Sequence, residues 1–381
     1  MIDKSAGVLT LKNYINNLGN WTYRRGTIDA QTHNATVVFG YNGTAGNIAG
    51  NQSLNNVVFS SYVAGAFIIP VGNELTVLGD LSLEGSNQIT IYNGTIQAKG
   101  NVTSTNSYSD VAVSQYTGGT AIINISGTGN QILSGYTVAS AGKFPSITIN
   151  KTAGTLFLKN FISIAGNWTY VAGTIDDATY DATLVFGKST GRIISGKLSL
   201  RKIIFNGEFA ASINAITATD TITVVEELKF SGGTAAVLNS GTLNVTGNII
   251  TANTASGTAS GGTGSIHICG NNNQTFTGTA NPAKGALCNI KINKPSGTLS
   301  LIGNITIGTY EWKYVKGTVD AGSSTVAFFG WGTVNCGTPA LNMAFNNFHI
   351  VSGDITLTGA LNVKNNLTVN QAHGLLTNGY D

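Results

Sequence analysis

The residues able to do chemistry in this chain recur along it rather than converge. Trp21/Tyr23, Trp168/Tyr170 and Trp312/Tyr314 stand at positions i and i+2, which share a face on a strand. Turned outward, such a pair stacks on a sugar ring and makes a glycan contact. Turned inward, it plugs a corner of the interior, because aromatic side chains bury a large apolar area; packing is the favoured reading. Asp29, Asp176 and Asp320 each follow Gly-Thr-Ile or Gly-Thr-Val. Glycoside cleavage needs two carboxyl groups within roughly 5–10 Å of each other. An acid that returns at the same point of every copy suits a turn instead, where Asp bonds its own backbone. Asp176, Asp177 and Asp181 form the densest acidic group and would suit Ca²⁺ if clustered. The stretch 261–270 reads GGTGSIHICG, without the Asp of the calcium-binding nonapeptide, so no metal is expected. His33, His267, His349 and His373 lack ligand spacing, and no G-x-S-x-G, P-loop or H-E-x-x-H occurs. Neither an enzymatic activity nor a cofactor is expected.

Cys269 and Cys288 replace Ser126 and Pro145 of the preceding related segment, 19 residues apart. They are two small buried residues or the ends of a disulfide closed in an oxidising compartment; the first reading is favoured, and Cys336 is left over. Asn-x-Ser/Thr sequons begin at Asn20, Asn34, Asn42, Asn51, Asn93, Asn101, Asn124, Asn150, Asn167, Asn244, Asn273, Asn304 and Asn366. That is a mild excess over chance for so much Asn, Ser and Thr. Outward-facing ones are candidate glycosylation sites.

What elements must carry these residues? Charged residues make up only 10% of the 381, apolar residues 42%, and Pro numbers 5 against 49 Gly. That apolar content is too high for a disordered low-complexity chain. It suits many short strands joined by turns, with Gly, Asn and Asp at the positive-φ positions. The net charge is +3 and no Lys/Arg cluster exceeds a pair, so no nucleic-acid footprint is present. No apolar run reaches the length of a membrane span.

The chain repeats itself. GNWTYRRGTID (Gly19–Asp29) returns as GNWTYVAGTID (Gly166–Asp176) and, loosened, as TYEWKYVKGTVD (Thr309–Asp320). MIDKSAG, TINKTAG and KINKPSG end at Gly7, Gly154 and Gly297, spacings of 147 and 143 residues. Internal repeats over 7–153, 154–296 and 297–381 follow, the last incomplete, within one continuous body over 1–381. Each holds two related half-units. One type spans Thr36–Phe59 and Thr183–Asn206, the other Ala121–Asn150 and Ser265–Asn293. The opening and closing stretches both read as the middle of a repeat, with no polar cap.

Within the half-units, short strands such as TLFLK (Thr155–Lys159) alternate strictly between apolar and polar. Helix periodicity is absent. Long recurring units of alternating strands favour an all-β fold, a right-handed parallel β-solenoid (β-helix), over a tandem of antiparallel β-sandwiches. With roughly 24 residues per coil and a rise of ~4.8 Å, about sixteen coils would make a rod near 75 Å long.

The phrases GTGNQILSG (Gly127–Gly135), FPSITINKTAGTLFL (Phe144–Leu158) and GNWTYVAGTID resemble the Gly/Thr/Asn-rich repeats of prokaryotic cell-surface proteins described as adhesin-like or filamentous-haemagglutinin-like. The resemblance covers nearly the whole chain and implies a parallel β-solenoid with an extracellular, cell-surface address. The expected role is structural or adhesive, as part of a surface fibre, stalk or filament assembled end to end. The expected partners are neighbouring solenoid segments and cell-surface glycans. The alternative is a glycan-binding or glycan-cleaving β-helix of the tailspike or polysaccharide-lyase kind.

Overall fold

The computed structural model describes residues 1–40, 46–61, 65–108, 118–187, 189–207, 212–256, 261–279, 281–308, 311–338 and 340–380. Two compact units are formed, Met1–Val185 and Phe186–Asp381. Their junction falls inside the second long repeat rather than at a repeat boundary. The fold is all-β, without a helix among the described residues. Strands pair in parallel with strands about one coil further on, as a β-solenoid.

Alternation becomes burial in a regular way. Thr36–Phe39 places Val37 and Phe39 inside and Thr36 and Val38 at the surface, because successive side chains of a strand point to opposite faces. Parallel pairing in register then puts like above like. In the first unit one interior column runs Ile15, Val37, Val57, Leu81, Val102, Leu133, Leu158, one residue per coil. A second runs Leu75, Ile96, Ile123, Ile147. In the other unit a column runs Ile222, Leu243, Ile266, Ile290, Trp312, Val334, Leu357. Burying each such side chain is worth about 1.5–3 kcal/mol, so a one-residue slip, which turns a whole strand inside out, is strongly disfavoured.

Coil length varies. Asn347 pairs with Asn366, 19 positions on, whereas Thr95 pairs with Ile122, 27 positions on. The pairing stays in register at both lengths. Antiparallel pairing is confined to the hairpin Gly337–Thr338/Leu341–Asn342 and two isolated bridges among the described residues. That pattern sets the sandwich tandem aside. Aromatic rings meet along the interior as well, Phe39 stacked on Phe59 at 5.7 Å and Phe67 edge-on to Phe59 at 5.0 Å. In the second unit Phe186 stacks on Phe205, and Phe230 lies tilted against Phe205.

Candidate functional site

The aromatic pairs are divided between core and turn. Trp312 lies in register with Ile290 and Val334, and register with inward-facing residues forces it inward. Trp312 and Trp168 are fully buried. The Trp312 indole N–H meets Met343 Sδ at 3.3 Å, while that of Trp168 has no partner among the described residues. Trp21 is half-buried, edge-on to Phe39 at 5.9 Å, and donates to Gln52 Oε1 at 2.6 Å.

The three tyrosines do one thing. Tyr23, Tyr170 and Tyr314 each donate their O–H to the carbonyl of the glycine three residues on, Gly26, Gly173 and Gly317, at 2.6 Å in every copy. Those glycines hold φ of 116°, 122° and 116°, in the region where a side chain is strained. A Cβ on them would fall 2.8, 2.8 and 2.7 Å from the Cβ of Lys4, Lys151 and Lys294. The turn is therefore pressed onto a lysine of the preceding coil, and the tyrosine fastens it.

Those lysines were not singled out from the sequence. Lys151 is buried, and its Nζ donates to Gly127 O at 2.6 Å, Gly129 O at 2.9 Å and Gln131 Oε1 at 2.6 Å. Lys294 is buried in the same way, over Gly270 O at 2.8 Å, Asn272 O at 2.9 Å and Gln274 Oε1 at 2.5 Å. The glutamines continue the chain of bonds. Gln131 Nε2 donates to Ala98 O at 3.2 Å and to Gly100 O; Gln274 Nε2 donates to Val245 O at 3.2 Å and Gly247 O at 2.6 Å. An ammonium has three donors, and each of these finds an acceptor. Burial still lowers both lysine pKa values below the ordinary range, because desolvation disfavours the charged form. Each lock ties the coil of the lysine to the two coils before it. The usable signal was the shared column, a Lys in each of MIDKSAG, TINKTAG and KINKPSG and a Gln in GTGNQ and NNNQ.

Asparagine side chains bridge coils at the corners. Asn20 accepts from Asn47 N at 2.9 Å, Asn51 from Glu74 N at 2.8 Å, Asn101 from Ile132 N at 2.8 Å and Asn273 from Thr298 N at 2.9 Å. Asn34 accepts from Asn55 Nδ2 at 2.7 Å, and Asn93 from Thr120 Oγ1 at 3.2 Å. Of the sequon asparagines, Asn20, Asn34, Asn51, Asn93, Asn150, Asn167, Asn273 and Asn366 are exposed, and Asn101, Asn124, Asn244 and Asn304 are half-buried. Asn124 donates to Gln97 Oε1 at 2.8 Å, Asn244 Oδ1 meets His267 Nδ1 at 3.2 Å, and Asn366 donates to Asn347 Oδ1 at 3.2 Å. Asn42 lies outside the described residues.

The repeated acids make turns. Asp29 accepts from Thr32 N at 3.0 Å, Asp176 from Ala178 N at 2.9 Å and Thr179 N at 2.8 Å, and Asp320 from Gly322 N at 3.0 Å. The bonds from Thr32 hold the Asp29 carboxyl below its usual value. Among the described residues no three His, Cys, Asp or Glu side chains gather as a metal site would require. Cys269, Cys288 and Cys336 are free thiols, without a Cys269–Cys288 bridge. Burial pushes Cys288 and Cys336 up to about 12. In the second unit Arg192 is buried, with bonds to Asn214 Oδ1 and Gly187 O at 2.8 Å and its guanidinium 5.6 Å from the Phe186 ring centre.

One concavity has the make-up of a ligand site. A cleft of about 580 Å³ in the second unit is lined by Lys313, Tyr314, Asn335, Leu341, Thr358 and Tyr380, among others. It opens beside the Gly337–Asn342 hairpin, which has no counterpart at the other copies of the repeated phrase among the described residues. The sequence offered no sign of it, since it joins Lys313, Asn335, Thr358 and Tyr380 from successive coils, a relation that local pattern does not carry.

No protein-family model matches the chain, and neither a curated protein nor a solved structure matches it. No helix is long and apolar enough to cross a membrane among the described residues.

Proposed function

We propose that the chain is a structural, adhesive segment of an extracellular surface fibre, stalk or filament, as the adhesin-like resemblance implies, and that it associates end to end with other solenoid segments. One observation carries this reading. The repeated residues are taken up in building the stack, Lys151 tying its coil to Gly127, Gly129 and Gln131 of the preceding one and Tyr170 fastening its own turn at Gly173. A stack of parallel strands paired in register resists axial load, and solenoid coils pair by the same ladder from one segment to the next. Sedimentation velocity over a wide concentration range tests it. Growing linear species are expected; a monomer at every concentration would contradict end-to-end association.

A second reading is favoured by the cleft beside Tyr314. Its volume lies in the range of small-ligand sites, and Tyr380, Lys313 and Asn335 offer a ring face, a cation and an amide to a saccharide. Glycan-array binding lost on Tyr380→Ala supports it; an array that stays blank removes it.

A further inference from the structure

Around its third copy the repeat changes character on one outward column of the second unit. Ile290 and Ile292 are buried on either side of Lys291, and Trp312 and Tyr314 on either side of Lys313, so both lysines point outward. They stand in direct register on adjacent coils, with His267 in register before Lys291. Asn335 continues the column beyond Lys313. The other copies are uncharged at these places. Thr22 and Thr169 stand where Lys313 does, Thr148 where Lys291 does and Asn124 where His267 does. Like charges set side by side on neighbouring strands are destabilising. Neither lysine has an ion-pair partner among the described residues. Glu311 lies one column aside on the same face, and no ion pair joins it to either of them among the described residues. Packing and pairing therefore give no reason for the two cations. Their place does, because Lys313 lines the cleft beside the Gly337–Asn342 hairpin.

We propose that this cleft takes an acidic saccharide, whose carboxylate or sulfate groups meet Lys313 and Lys291. The inference rests on the saccharide reading given above and adds the charge of the ligand. Charge complementarity carries it. A sugar acid held at Lys313 has a second cation one strand spacing away, ~4.8 Å, and Asn335, Thr338 and Thr358 line the cleft with groups suited to ring hydroxyls. An acidic peptide fits less well. Peptides add to sheets by main-chain pairing at a free edge, and Glu311–Asp320 is already paired on both sides. A nucleic acid needs a longer track of cations than this pair.

The test is isothermal titration of the full chain with three hexasaccharides of equal length, one of uronic acids, one sulfated and one neutral. Hexaglutamate and a single-stranded oligonucleotide serve as other polyanions. An acidic hexasaccharide is expected to bind roughly tenfold more tightly than the neutral one, the worth of one charge-assisted contact. Whichever of the two binds names the acid group. Lys313→Gln and Lys291→Gln should each remove most of that preference without shifting the melting temperature, and Lys313→Arg should keep it. A neutral hexasaccharide bound as tightly as the acidic ones, or binding that neither Gln change weakens, overturns the proposal and leaves the saccharide reading standing. Equal binding of hexaglutamate or the oligonucleotide also overturns it, since it would mean unspecific attraction of anions. No binding of any saccharide fails both readings.

Discussion

Lys151 and Gln131 stand on adjacent coils, 20 residues apart in sequence and 2.6 Å apart from Nζ to Oε1, and the same pair recurs as Lys294 and Gln274 at 2.5 Å. Removing the ammonium while keeping its bulk takes its donor from two carbonyls and an amide oxygen, although Gln274 Oε1 keeps the Gly270 N–H at 3.1 Å. Leaving a buried polar group unsatisfied costs about 1–3 kcal/mol. Lys151→Met and Lys294→Met should each lower stability in that range in urea titrations.

The turn glycines give a second contrast. Gly173→Ala places a Cβ 2.8 Å from the Lys151 Cβ at a φ of 122°, whereas Gly72→Ala at φ 78° meets nothing within 4 Å. Both substitutions strain the backbone, by about 1–3 kcal/mol, but only the first also drives two coils apart. Gly173→Ala should therefore cost clearly more than Gly72→Ala by thermal denaturation, and Tyr170→Phe about 0.5–1.5 kcal/mol.

Burial of the tryptophans predicts an order of quenching. Trp331 is 70% exposed, Trp21 half-buried, and Trp168 and Trp312 closed to solvent. Iodide should quench Trp331 first, so Trp331→Phe should remove most of the quenchable emission. Trp312→Ala should cost about 3–5 kcal/mol, the usual loss for a buried aromatic.

The thiols set an alkaline limit. Burial raises Cys288 and Cys336 to about 12, while in the unfolded chain they titrate near 8.5, the approximate free-thiol value. Between those values the unfolded state binds fewer protons, so stability is full below the unfolded value and falls as pH rises toward 12. The buried lysines act in the opposite direction, since their pKa values are lowered. Comparing wild type with Cys288→Ala cancels the lysine contribution, and the variant should lose less stability between pH 8 and pH 11. Alkylation at pH 8 should modify Cys269, which is half-buried, ahead of Cys288 and Cys336.

Much of the architecture was legible in the sequence, because strand alternation and a long repeat both report a single periodic constraint. Val37 and Phe39 could be assigned to one face from TVVF alone. Turn chemistry was legible too, as the hydrogen bonds to Asp29, Asp176 and Asp320 show. The lysine lock was not. A lone Lys in a polar strand reads as solvent-facing, and only the register that seats it over Gly127 and Gly129 makes burial tolerable. The inward turn of Trp312 likewise depends on pairing with Ile290, a relation across 22 residues that local pattern does not carry. Nor could a fixed coil length be read, since partners in register stand 19 positions apart at Asn347 and 27 at Thr95.

Electron cryo-microscopy of the native assembly containing this chain tests the central claim most directly, because it shows whether solenoid segments stack end to end. A continuous stack is expected, with successive coils at the ~4.8 Å strand spacing. A discrete particle with a saccharide seated beside Tyr314 and Tyr380 would contradict it.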